Sequence, residues 1–134
     1  MRINKLLNNH PVRGDERGQL VAIESNIDVP FEIKRIFYIY GTTQGVPRGN
    51  HAHYKTKQYL ISVSGSCKVT LDNGLEKVTY ELDSQNKGLL QNENVWGVMH
   101  DFSNDCVLLV LASEHYEDAD YIRDYDQFIK QVVK

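Results

Sequence analysis

The sequence predicts an all-β chain, an antiparallel barrel or jelly roll with one short C-terminal helix. Three observations carry this. Short runs rich in β-branched and aromatic residues recur at close spacing, punctuated by Gly, Asn, Asp and Pro. Asp72-Asn73-Gly74 is a hairpin signal, because Asn-Gly adopts the positive φ values of a type I′ turn. Helical periodicity is confined to the tail.

Taken in order, strands are expected over 20–23, 33–40, 57–64, 67–71, 77–82, 95–102 and 107–112, with Gly65 turning the chain between two of them. Ile122, Tyr125, Phe128, Ile129, Val132 and Val133 recur every three to four residues and form one apolar stripe. Asp120 is placed to cap that helix, and Lys130 and Lys134 suit its C-terminal end. The stripe packs on the outside of the barrel.

Composition narrows the function. The 134 residues carry a net charge of −3 and are 41% hydrophobic, which fits one domain over 1–134 with a single core. That balance offers no electrostatic footprint for a nucleic acid. The longest apolar run, 106–112, is far short of the roughly 20 residues that span a bilayer. The N-terminal residues carry no signal-peptide core. Cys67 and Cys106 lie in apolar stretches and read as reduced core thiols of a cytoplasmic protein.

The richest stretch is Gly45-Val46-Pro47-Arg48-Gly49-Asn50-His51-Ala52-His53. Residues two apart on a strand share a face, so His51 and His53 project side by side. Each imidazole brings two nitrogens that need partners when buried, and an isolated His-x-His is as often a structural pair as a site. The spacing Gly-x5-His-x-His-x4-Gln-x6-Gly, running from Gly45 to Gly65, resembles the first motif of the cupins. Metal-binding cupins use both histidines, a Glu and a later His. Here Gln58 replaces the Glu, and the second motif, over 88–100, has its proline and histidine out of place. No metal and no other cofactor is therefore expected, and the imidazoles are free for acid–base work.

Arg17, Arg35 and Arg48 are candidates for a polyanionic ligand, since guanidinium matches phosphate oxygens in bidentate geometry. A single Arg is more often a solvated surface residue. Tyr38 is a candidate hydrogen-bond donor to a sugar or phosphate, and Trp96 a candidate for stacking on a base, each against core packing. His100 and Asp101 are strand neighbours expected to face opposite ways.

Several segments together are more specific. Arg17-Gly18-Gln19-Leu20, the run over 29–39, Pro47 to His53, Val95-Trp96 with Met99-His100-Asp101-Phe102, the run over 106–113, and Asp120-Tyr121-Ile122-Arg123 resemble the dTDP-4-keto-6-deoxy-D-glucose 3,4-ketoisomerases, in order and over nearly the whole chain. The resemblance implies a small metal-independent cupin, an isomerase moving the ketone of a dTDP-linked 4-keto-6-deoxy sugar from C4 to C3. It implies a homodimer exchanging N-terminal strands, in a pathway to 3-amino-3,6-dideoxy sugars of surface polysaccharides such as the lipopolysaccharide O-antigen. His51 and His53 match the paired active-site histidines, Tyr38 and Arg48 pocket residues, and Arg35 a further one. Arg17 and His100 resemble the pair seen in galacto-forming rather than gluco-forming members. Gly97 departs from the pattern, because relatives carry a bulky His or Arg there.

Ketone migration requires a base for the C3 proton and a stabilised enediolate. His51 or His53 is that base; the sequence leaves open which. Three rivals stand beside this reading: a 3,5-epimerase of the same substrate class, a metal cupin, and a non-catalytic sugar-nucleotide-binding module.

Overall fold

The computed structural model describes residues 6–133. Lys134 and the five N-terminal residues lie outside them. In chain order the elements are β1 (Leu7–Asn9), β2 (Arg13–Asp15), β3 (Gly18–Leu20), β4 (Arg35–Ile39), β5 (Arg48–His53), β6 (Gln58–Ser64), β7 (Cys67–Asp72), β8 (Lys77–Leu82), β9 (Lys87–Gln91), β10 (Trp96–His100), β11 (Val107–Ala112), β12 (Tyr121–Ile122) and α1 (Tyr125–Val132). Two five-stranded antiparallel sheets, ordered β1-β9-β6-β11-β4 and β12-β5-β10-β7-β8, form the barrel, and β2 and β3 form a separate hairpin. This is the all-β cupin-type fold with a short C-terminal helix.

Side-chain alternation assigns the faces. In the first sheet the register aligns Arg35, Phe37 and Ile39 of β4 with Ala112, Val110 and Leu108 of β11, and those with Gln58, Leu60 and Ser62 of β6. These residues face inward. The opposite face of the central strands, with Tyr59, Leu90 and Leu111, is buried in one cluster with Leu6, Val29 and Phe31 of the N-terminal segment. In the second sheet Gly97, Leu71, Met99 and Val69 face inward, while Trp96, Val98 and Thr70 face outward. Helix α1 covers that outer face, burying Phe128 against Trp96, Ala52 and Ile122.

Three local expectations are corrected. The β7–β8 register joins Asp72 to Lys77, leaving a four-residue loop rather than a two-residue type I′ turn. Asn73 Oδ1 accepts hydrogen bonds from the Leu75 and Glu76 amides at 2.8 and 2.9 Å, so the asparagine side chain holds the loop and only Gly74 takes a positive φ, 93°. Helix α1 starts later than expected. Its cap is Asp124, which accepts from the amides of Asp126 and Gln127, whereas Asp120 is buried in a single 3-10 turn. Strands β1, β2, β5, β9 and β12 have no counterpart among the expected ranges, although the His51–His53 pairing is itself read as lying on a strand. Three of them are only two or three residues long, too short for periodicity to register. Both thiols are buried and unbridged. Among the described residues no helix is long and apolar enough to cross a membrane.

Candidate active site

A β-bulge positions the site. His51 of β5 lies opposite Gly97 of β10, but the next pair is Gly49 with Val98, so Asn50 is the extra residue. Gly49 and Asn50 take positive φ values of 92° and 55°. A side chain at Gly49 would press within 2.9 Å of the Gly97 carbonyl, so close strand approach also requires glycine there. Bulges re-aim side chains beside functional clefts, and this one immediately precedes His51.

His51 opens onto a cleft of about 270 Å3 whose walls include Phe37, Arg48, Gln58, Met99, Tyr121 and Arg123. Its Nδ1 lies 3.1 Å from the Gly49 carbonyl, which only accepts, so in the neutral ring Nδ1 carries the proton and Nε2 the lone pair. His53 sits behind it with a side-chain exposure of 2%. The two rings are perpendicular with centroids 5.0 Å apart, and Tyr121 packs on both, at 5.0 and 4.3 Å.

Asp120 organises the second histidine. Its carboxylate accepts from His53 Nδ1 at 3.2 Å, from the Lys55 amide at 2.9 Å, and from the amide and hydroxyl of Thr56. Strand β12 delivers this group, because it pairs Tyr121 with His53 and Ile122 with Ala52. His53 Nε2 is buried without a hydrogen-bond partner. Burial would raise the Asp120 carboxyl, but the hydrogen bonds from Thr56, Lys55 and His53 outweigh it and hold the carboxyl below 3.8.

Both imidazoles are kept neutral. Burial, then the neighbouring His51, and more weakly the Arg35 charge, pull His53 down to about 4 against the partial support of Asp120. Burial, with the Arg123 charge adding to it, also lowers His51. A neutral imidazole is the form that accepts a proton. Arg48 and Arg123 supply positive charge on the cleft wall, and Arg123 stacks 4.3 Å over the Tyr121 ring. Among the described residues no group of three or more His, Cys, Asp and Glu side chains is arranged to hold a metal ion.

The expected site residues divide into two sets. His51 and Arg48 line the cleft, His53 lies directly behind, and Arg35 is near enough to act on His53 while its guanidinium stacks 5.4 Å over Phe37. The other four stand elsewhere. Tyr38 is on the outer face of β4, 62% exposed and stacked on Tyr40; the inward positions of that strand are 35, 37 and 39. Trp96 faces α1, 5.6 Å from the Phe128 ring. His100 is on the same outer face, bonded to Thr70 Oγ1 at 2.7 Å. It also pairs with Asp101 at 2.6 Å, contrary to strand alternation, because Asp101 leaves the strand with a φ of 53°. Arg17 is on the β2–β3 hairpin with its side chain 85% exposed, paired to Asp15 at 2.6 Å. Sequence reasoning does not single out Asp120, Tyr121 and Arg123 for the site. No spacing rule links them to residues 51–53; only the β5–β12 pairing does.

Residues 3–133 match the family described as "FdtA: WxcM-like, C-terminal". The chain is 50% identical over 133 residues to the TDP-4-oxo-6-deoxy-alpha-D-glucose-3,4-oxoisomerase of Aneurinibacillus thermoaerophilus, covering 98% of this chain and 94% of that one. The chain belongs to the sugar 3,4-ketoisomerase family. Solved ketoisomerases superpose closely. One from Helicobacter canadensis shares 44% identity at a TM-score of 0.92, covering 96% of each chain. QdtA of Thermoanaerobacterium thermosaccharolyticum, as a histidine-to-asparagine variant holding TDP-4-keto-6-deoxyglucose, shares 42% identity at a TM-score of 0.91, covering 94% of this chain and 91% of that one. Ketoisomerases are isomerases that shift a carbonyl along a sugar ring, and neutral imidazoles at a cleft suit the proton transfers this needs.

Proposed function

We propose that this ketoisomerase acts, as one domain, on TDP-4-keto-6-deoxy-D-glucose and yields the TDP-linked 3-keto-6-deoxy hexose. The observation that carries the reading is the placement of His51, neutral and open to the cleft, in front of the buried His53–Asp120 pair.

His51 Nε2 takes the C3 proton, which the adjacent C4 carbonyl acidifies. The electrons pass to O4, giving an enediolate, and Arg123 or Arg48 offsets its charge. The C3 hydroxyl proton passes to O4 as the new carbonyl forms at C3, and a proton returns to C4. His53, backed by Asp120 and packed edge-on against the His51 ring, orients that ring toward the sugar. The arginines also suit the pyrophosphate.

We further propose a homodimer exchanging N-terminal strands. The β2–β3 hairpin pairs with no other strand among the described residues, and every residue in it is exposed. The outer face of edge strand β4 is equally bare, with Ile36 60%, Tyr38 62% and Tyr40 69% exposed. A partner's hairpin laid there would cover apolar surface on both chains, Leu20 included, and would carry Arg17 and Tyr38 into an interface. The galacto preference loses the His100 half of its support, since that ring faces Thr70, and rests on Arg17. A 3-keto product is what transamination at C3 requires, so we place the reaction in the cytoplasm ahead of 3-amino-3,6-dideoxy sugar synthesis for surface polysaccharide.

The test is proton NMR of TDP-4-keto-6-deoxyglucose incubated with the pure protein. A 3-keto product establishes the reading, and the H4 coupling gives galacto or gluco. Exchange at C3 and C5 with the ketone still at C4 means a 3,5-epimerase, and binding without turnover means a sugar-nucleotide-binding module.

A further inference from the structure

The space beside position 97 is taken by a neighbouring side chain. Gly97 faces inward opposite His51, and a Cβ there would stand 2.5 Å from Gln91 Nε2 and 2.9 Å from its Cδ and Oε1. Gly97 is not among the residues with positive φ, so what a side chain there would meet is the movable end of Gln91 and not a backbone restriction. Gln91 ends β9 in the opposite sheet, pairs in register with Gln58 of the cleft wall, and is 6% exposed. Its Nε2 donates to the Val95 carbonyl at 3.0 Å, which anchors the carboxamide over Gly97. Opposed strand residues hold their Cβ atoms about 4.5–5.5 Å apart, so the carboxamide stands beside the stem of His51.

We propose that Gln91 takes over the place that related ketoisomerases give to the residue after Trp96, reaching across the barrel so that an uncharged carboxamide is the specificity-determining contact to the sugar ring beside His51. The inference rests on the ketoisomerase reading above. A carboxamide both donates and accepts and is uncharged throughout, whereas Arg is always a cation and His titrates in the working range. It orients a sugar hydroxyl or carbonyl and adds no ionisation to the pH profile.

Four proteins test this: wild type, Gln91→Met, Gly97→His and the double variant Gln91→Ala/Gly97→His, each assayed on TDP-4-keto-6-deoxyglucose and melted without ligand. Gln91→Met keeps the volume and removes the polar group; kcat is expected to fall about tenfold with KM changed less than threefold. Gly97→His alone is expected to melt well below wild type, and adding Gln91→Ala to restore its melting temperature. The pH profile of the restored double variant is expected to gain an imidazole ionisation that wild type lacks. Wild-type kcat and KM in Gln91→Met overturn the proposal. So does a Gly97→His protein whose melting temperature is the same with and without the added Gln91→Ala change. A wild type inert on the substrate defeats the ketoisomerase reading instead, and the melting comparison still decides which side chain occupies the space.

Discussion

The inner and outer faces of β5 and β10 carry residues that alternate in sequence and differ in every physical respect. Inward, Gly49, His51 and Met99 border a cleft with cations on its rim, and Gly97 leaves its space to Gln91. Outward, Ala52 and Trp96 meet Phe128 of α1 in an apolar seam, and His100 turns to Thr70. Trp96 and Gly97 are adjacent in the chain yet belong to opposite sides of the sheet. Proximity in sequence to a catalytic motif is therefore a poor guide to membership in the site, and strand parity is a better one.

The largest expected effect breaks the inner face. His51→Asn should lower kcat by about 10²–10⁴-fold, the range of a general base, with the melting temperature little changed because His51 borders open space. Steady-state kinetics beside a melt checks it. The matching cut on the outer face is Phe128→Ala, which empties a fully buried site. It should cost about 3–5 kcal/mol of stability while turnover per folded molecule stays near wild type. Denaturant unfolding against active-site titration separates the two quantities.

Acid sharpens the contrast. His53 is held near 4 in the folded chain against 6.5 unfolded, so the unfolded state binds more protons between those values. Its contribution is complete above about pH 6.5 and is lost as pH falls toward 4, about 3 kcal/mol in all. His51 shifts in the same direction and adds to the loss. Urea unfolding across that window measures it, and His53→Asn should flatten the slope. Asp120→Asn comes next: it frees His53 to rotate and should cost about 1–3 kcal/mol of stability, with turnover falling about tenfold and its acid limb moving. The smallest effect belongs to His100→Gln, expected within twofold of wild type and with the same C4 configuration, since the ring lies outside the cleft.

Much of the barrel is legible in the sequence because alternation, Gly65 and the tail stripe are local signals. His51, His53 and Arg48 are legible as candidates, since one strand carries all three. Asp120 is not. Its side-chain oxygen can serve a helix N-terminus or a histidine, and a partner 67 residues away decides between them. Tyr38 falls on the outer face of β4 within its own chain, because alternation says which residues share a face and not which face looks inward; the β11 register decides that. Arg17 lies on a hairpin that pairs with no other strand among the described residues. Gln91 is silent because its role exists only through the glycine across the barrel.

The most direct test of the central claim is deuterium incorporation in heavy water by wild type, His51→Asn and His53→Asn, each first shown to bind TDP. His51→Asn is expected to bind the nucleotide and abolish loss of the C3 proton, while His53→Asn slows that loss without abolishing it. Undiminished exchange in His51→Asn, or complete loss in His53→Asn alone, would contradict the assignment of the base to the inner, cleft-facing histidine.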